Sequence, residues 1–189
     1  MLHTIIRRLS LCLLVLLCSC GETENEYDTS NACFFTFDTQ LHNTSIIRHA
    51  LNPLASGIFV LVTTEMKSGV VAVNAELNDG KTHEQTLVTT ARENYVSYVL
   101  GAANGLIIGY SSLGNGLYAF DRQCPNCVHD FALYKYPLAW SNNGQWLECN
   151  NCKRKYDLNN NGFINEGEKG LKLTRYHAYY DGTVLTVKN

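Results

Sequence analysis

Proline is scarce in this 189-residue chain, at three residues, and glycine numbers only fourteen. That leaves little room for a long disordered segment. Charge is sparse too: charged residues are 17% of the chain and the formal net charge is −2. With no basic field, nucleic acid is excluded as a natural partner. There is no internal repeat and no low-complexity segment. A phosphate-cradling glycine loop, a Gly-x-Ser-x-Gly elbow and a nucleophile–base signature are all missing, so the motifs favour a non-enzymatic protein. No eleven-residue window carries a convincing helical stripe. What is present is a 46% hydrophobic, globular composition of a length suited to one domain.

The N-terminus reads as a targeting segment. Arg7 and Arg8 precede the apolar run Leu9–Leu17, which is too short to span a bilayer as a stable helix. The LCSC that follows resembles a bacterial lipobox, with Cys20 as the acylated residue. Residues 1–19 are then a lipoprotein signal peptide, and residues 20–32 are the lipidated cysteine with an acidic tether. No later segment has the length and apolarity of a membrane-spanning helix. The expectation is a cell-envelope protein held to the membrane by lipid, on the periplasmic side or the cell surface, with its body in water. A protein partner is expected but not identified by the sequence.

From Cys33 onward the pattern is β. Residues 57–64, 69–77, 93–100, 105–110, 116–121, 145–149 and 182–189 are short runs rich in Val, Ile, Tyr and Thr, bounded by Gly, Asn or Asp. Asn78–Gly80, Asn142–Gly144 and Tyr180–Gly182 carry turn chemistry. Leu41–Leu54 is the best candidate for irregular or one-turn helical structure. The fold class is all-β, sandwich- or barrel-like, over residues 33–189, with a cysteine-bearing lobe from about 118 to 189.

Five cysteines remain once Cys12, Cys18 and Cys20 are assigned to leader and lipid. Cys33 stands alone and reads as a small buried apolar residue. The other four form CPNC (Cys124, Cys127) and CNNC (Cys149, Cys152). Two such turns facing each other make a tetrahedral sulfur site. Three states fit: a mononuclear zinc or iron, two disulfides with no cofactor, or a four-cysteine [2Fe–2S] cluster. The paired spacing argues for metal, and an oxidising envelope argues for disulfides.

The stretches LYAFDRQCPNC, WLECNNCKRKYDLNNNG and the closing DGTVLTVKN resemble a Rieske-type iron–sulfur domain over roughly residues 116–189. The resemblance implies an all-β fold in which two loops hold a metal centre, and in particular a degenerate, Rieske-like bacterial lipoprotein. In that family two cysteines and two histidines share the irons. Cys124 and Cys149 match the cysteine positions. Asn126 and Cys152 stand in the histidine positions, so the resemblance implies an altered centre. Pairing Cys127 with His129 as the first ligand box forfeits the Cys-Pro match. An electron-transfer protein that retains iron is the alternative to a structural or binding module.

The segment DLNNNGFINEGE also fits the pattern of a calcium loop, through Asp157, Asn159, Asn161, Gly162 and Glu168. Its context opposes calcium. The preceding cysteine knuckle leaves no room for an entering helix, the exit reads as strand, and only two ligands are carboxylates. His129 reads as a surface histidine and His177 as a strand residue.

Overall fold

The computed structural model describes residues 26–91, 93, 98–114 and 116–189. Cys20 and the whole proposed signal peptide lie outside the described residues. Among the described residues no helix is long and apolar enough to cross a membrane.

The described chain is mostly β, in two antiparallel sheets. The large sheet has nine strands: β1 (Cys33–Asp38), β2 (Phe59–Lys67), β3 (Val70–Leu77), β4 (His83–Val88), β5 (Val99–Leu100), β6 (Gly105–Tyr110), β7 (Leu117–Asp121), β12 (Arg175–Tyr180) and β13 (Val184–Lys188). Their spatial order is β4-β3-β2-β6-β7-β12-β13-β1-β5. The small sheet holds β8 (Leu138–Ser141), β9 (Trp146–Cys149), β10 (Lys155–Asp157) and β11 (Phe163–Glu166), in the order β11-β10-β9-β8. Two helices complete the set, α1 (Ile47–Ala50) and α2 (Pro125–Phe131), with a 3₁₀ turn at Pro53–Ala55. The expected one-turn helix within Leu41–Leu54 is thus present as α1. The expected strand over 93–100 is described only as its last two residues, β5.

Alternation within the central strands explains how one sheet serves two cores. Val60 and Val62 of β2, Leu106 and Ile108 of β6, and Ala119 of β7 face a core closed by Phe35, Phe37, Leu185 and Val187. Phe59, Leu61, Ile107, Tyr118 and Phe120 alternate with them and face the small sheet. Both faces are covered, so these strands read as near-continuous apolar runs rather than as clean alternation. Burying one such side chain stabilises the fold by about 1.5–3 kcal/mol.

The small sheet is an insertion between β7 and β12, which are hydrogen-bonded neighbours in the large sheet. The cysteine lobe is therefore narrower than the sequence suggests. β12 and β13, expected within it, return to the large sheet and pair with β7 and β1. Their inward residues Tyr176, Leu185 and Val187 belong to the first core, and this burial outweighs their proximity in sequence to the cysteines. The lobe docks through the β8–β9 turn. Gly144 has φ +77°, and a Cβ there would lie 1.7 Å from the Asn78 carbonyl oxygen. The Asn78 amide fixes the contact by donating to the carbonyls of Gly57 and Gly144, each at 3.0 Å.

The acidic N-terminal segment, expected to be a tether up to residue 32, is docked over its last part. Asp28 N–H donates to the Arg175 carbonyl at 2.8 Å. Tyr27 stacks on His177 with ring centroids 3.7 Å apart. The Arg175 guanidinium lies over the rings of Tyr118 and Tyr27, 4.1 and 5.1 Å from their centroids.

Candidate metal centre

Each cysteine pair is positioned by a different local structure. Cys124 is the N-cap of α2 and Pro125 takes its first position, where proline's missing N–H costs nothing. Cys127 follows three residues later, so one helical turn sets both thiols on the same side. The second pair sits on the β9–β10 turn. Lys153 adopts a left-handed conformation at φ 60°, and its N–H donates to the Cys149 carbonyl at 2.9 Å. The Cys149 N–H donates to the Arg154 carbonyl at 3.1 Å, closing the turn.

The four sulfurs converge, all within 4.8 Å of one another. Cys124 and Cys152 Sγ are 3.7 Å apart, and Cys127 and Cys149 Sγ are 3.5 Å apart. Four sulfurs at about 2.3 Å from one zinc would be separated by roughly 3.8 Å, so the set fits a single tetrahedral ion. A disulfide needs sulfurs about 2 Å apart. All five described cysteines are free thiols, so the disulfide reading does not describe this arrangement. Cys124, Cys127 and Cys149 are fully buried in the second core, while Cys152 is half-buried.

Hydrogen-bond donors aim at these sulfurs. The Tyr156 hydroxyl lies 3.3 Å from Cys124 Sγ, and Asn151 Nδ2 donates to Cys127 Sγ at 3.4 Å. Backbone N–H groups of Asn151 and Cys152 serve Cys149. Burial pushes the thiols of Cys124 and Cys149 up from the ordinary cysteine range. At Cys152 burial opposes ionisation as well, but the backbone N–H and guanidinium of Arg154 outweigh it and the thiol is lowered. Four thiolates around a divalent ion carry a net −2, and Arg154 is the cation that faces them. Its side chain is 6% exposed. It is held by the Glu168 carbonyl at 3.0 Å, Asp130 at 3.2 Å and the Glu168 carboxylate at 3.2 Å.

Asn126, in a histidine position of the resemblance, hydrogen-bonds to Tyr156 and Leu171. Its Nδ2 donates to the Tyr156 hydroxyl and the Leu171 carbonyl, both at 2.8 Å, and its Oδ1 accepts from Leu171 N–H at 2.8 Å. The neighbouring Gly170 leaves the required space, since a Cβ there would sit 2.1 Å from Asn126 Oδ1. Asn126 thus clasps the segment covering the site. Arg154, Tyr156 and Asn151 lie in the stretch WLECNNCKRKYDLNNNG, but nothing in the sequence marked their support of the sulfurs.

The other candidate residues lie apart from this centre. Asp157 caps its own turn, accepting from the N–H groups of Asn159 and Asn160. Asn159 Oδ1 accepts from Ser112 N–H, Asn161 Oδ1 from Arg175, and the Glu168 carboxylate from Arg154. Each calcium-loop oxygen thus serves a different partner; strand β10 leads into the loop, β11 lies within it, and no helix follows it before β12. His129 is exposed beside Asp130, and His177 is exposed on β12. Cys33 is buried, its thiol pushed up to about 12 by burial and by the charge of Asp121. The chain matches no protein-family model, no curated protein and no solved structure.

Proposed function

We propose that this is a membrane-anchored envelope lipoprotein with a Rieske-like domain, in which the four cysteines Cys124, Cys127, Cys149 and Cys152 clamp one metal ion as a structural or binding module. The observation that carries the reading is the convergence of four sulfurs from two knuckles within 4.8 Å. A small inserted lobe has little core of its own, and a structural zinc contributes an apparent stabilisation of roughly 10–16 kcal/mol. The ion would be zinc or iron, with thiolate as its only protein ligand. The fully protein-derived set leaves no open position, as in structural rather than catalytic sites. The Rieske-like element of the reading is supported by the Cys-Pro match and by two cysteine pairs, one on α2 and one on the β9–β10 turn, in an insertion between neighbouring strands of a larger sheet.

A second reading, a small electron carrier with a rubredoxin-like iron, is favoured by Cys152. Its half-buried sulfur brings the centre close to solvent, where a partner could reach it. One experiment separates the two. The full chain is purified from membranes under reducing, anaerobic conditions and assayed for zinc, iron and colour. One zinc per chain in a colourless protein supports the structural clamp. Iron with a reversible visible spectrum supports the carrier. No bound metal overturns both.

A further inference from the structure

The lobe covers only half of the outer face of the large sheet. It packs on β2, β6 and β7, through Phe59, Leu61, Ile107, Tyr118 and Phe120. Among the described residues, the part on β12, β13, β1 and β5 lies outside the lobe, with the Tyr27 ring on His177. Register defines what it displays. Phe34 faces Lys188 on one side and Val99 on the other, and His177 faces Lys188 across β12–β13. Beside this row run Thr36, Thr186 and Tyr179. Their neighbours Phe35, Phe37, Leu185, Val187 and Tyr176 point into the first core, so these side chains all point outward. Phe34 is 42% exposed, Val99 41% and Tyr179 67%.

The N-terminal segment arrives on this same face. Tyr27 stacks on His177, and Asp28 is hydrogen-bonded to β12. Only six peptide steps separate Glu26 from Cys20. Fully extended they reach about 20 Å. A body of this size has a radius of gyration of about 15 Å. A lipid on Cys20 therefore cannot let the domain swing clear of the bilayer. The face at which the short leash ends is the one drawn toward the surface.

We infer that the outer face of β12-β13-β1-β5, centred on the exposed Phe34, Tyr179 and Lys188, lies against the phospholipid headgroups. The inference rests on acylation of Cys20 as proposed above. The chemistry suits an interface. Tyrosine rings have an apolar body and a polar tip that settle at headgroup depth, and a lysine amine can meet phosphate while its stem covers apolar surface. The metal lobe, on the other half of the face, is then held at a fixed attitude to the membrane.

The test uses the full lipoprotein reconstituted into vesicles of phosphatidylethanolamine and phosphatidylglycerol doped with a headgroup-diazirine phospholipid. After illumination, labelled peptides are mapped by mass spectrometry, and the intact mass reports whether Cys20 carries lipid. Label on the peptides of β1, β12 and β13 at least about five-fold above that on the Met66 hairpin supports the inference. A lipidated chain labelled equally on both, or labelled chiefly on the lobe around Phe131, overturns the orientation and leaves the anchor standing. A chain without lipid on Cys20 overturns the anchor, and the orientation with it.

Discussion

Asn126 engages both polar atoms of its amide with the backbone of Leu171, and through Tyr156 it reaches Cys124. Replacing it removes the partner of the part-buried Leu171 N–H and leaves the buried Tyr156 hydroxyl without its donor. Asn126→Ala should destabilise the protein by about 1–3 kcal/mol in chemical denaturation while leaving four thiols in place to bind metal. Arg154 predicts a different phenotype. Arg154→Met keeps an unbranched stem but removes the guanidinium charge facing Cys152, together with the bonds to Asp130 and Glu168. Metal affinity in chelator competition should fall about 10–100-fold, the usual effect of losing a group that supports a ligand. At this scale the sequence showed the sulfurs and not their supports. A C-x-x-C pair is visible because its spacing is itself the chemistry. An arginine or asparagine acquires its role only when folding points it at a sulfur or a backbone.

The elements divide into a nine-stranded sheet with its own core and a four-stranded lobe whose core includes the cysteines. Removing metal with a chelator under reducing conditions should therefore act unevenly. Amide exchange should accelerate in β8–β11 and α2 and stay slow in β2, β6 and β13. Uniform acceleration across both sheets would show that the clamp holds the whole fold rather than the lobe. Strands that are apolar and bounded by turn residues, β2, β3, β6 and β7, were legible in the sequence. Short strands were not: β4, β8 and β11 are fixed by cross-strand pairing rather than by composition. Helix α2 was missed because at seven residues it is too short to show a stripe. Its one signal is Pro125 directly after Cys124. The assignment of β12 and β13 to the lobe erred because sequence nearness to the cysteines says nothing of which sheet receives a strand.

For the whole molecule, pH acts through Asp121, a buried carboxyl at the end of β7, three residues before Cys124. Asp121 is buried, and burial raises its carboxyl above the ordinary range despite bonds from Ala102 N–H, Gln123 N–H and the Tyr176 hydroxyl. An acid whose folded pKa is raised binds its proton more tightly in the native state. Its contribution to stability is full below the unfolded value near 3.8 and is lost as pH rises through the folded value. Asn mimics the protonated side chain. The stability of Asp121→Asn relative to the parent should therefore climb as pH is raised from about 4 toward neutrality, measured by denaturant titration at each pH. A difference independent of pH would contradict the buried, proton-retaining carboxyl.

The sheet closes through strands from opposite ends of the described chain. β1 finds its long partner only in β13, and Asn189 ties back to the backbone of Cys33 and Asn31. Such pairing is costly to reach, because loop closure must precede the contacts that reward it. A ribosome or translocon delivering this chain from its N-terminus releases β1 first and its partner last. Until then the only strand that pairs with β1 among the described residues is the two-residue β5. Assembly is therefore an event that follows delivery, and the interval in which β1 waits is when a chaperone would be needed most.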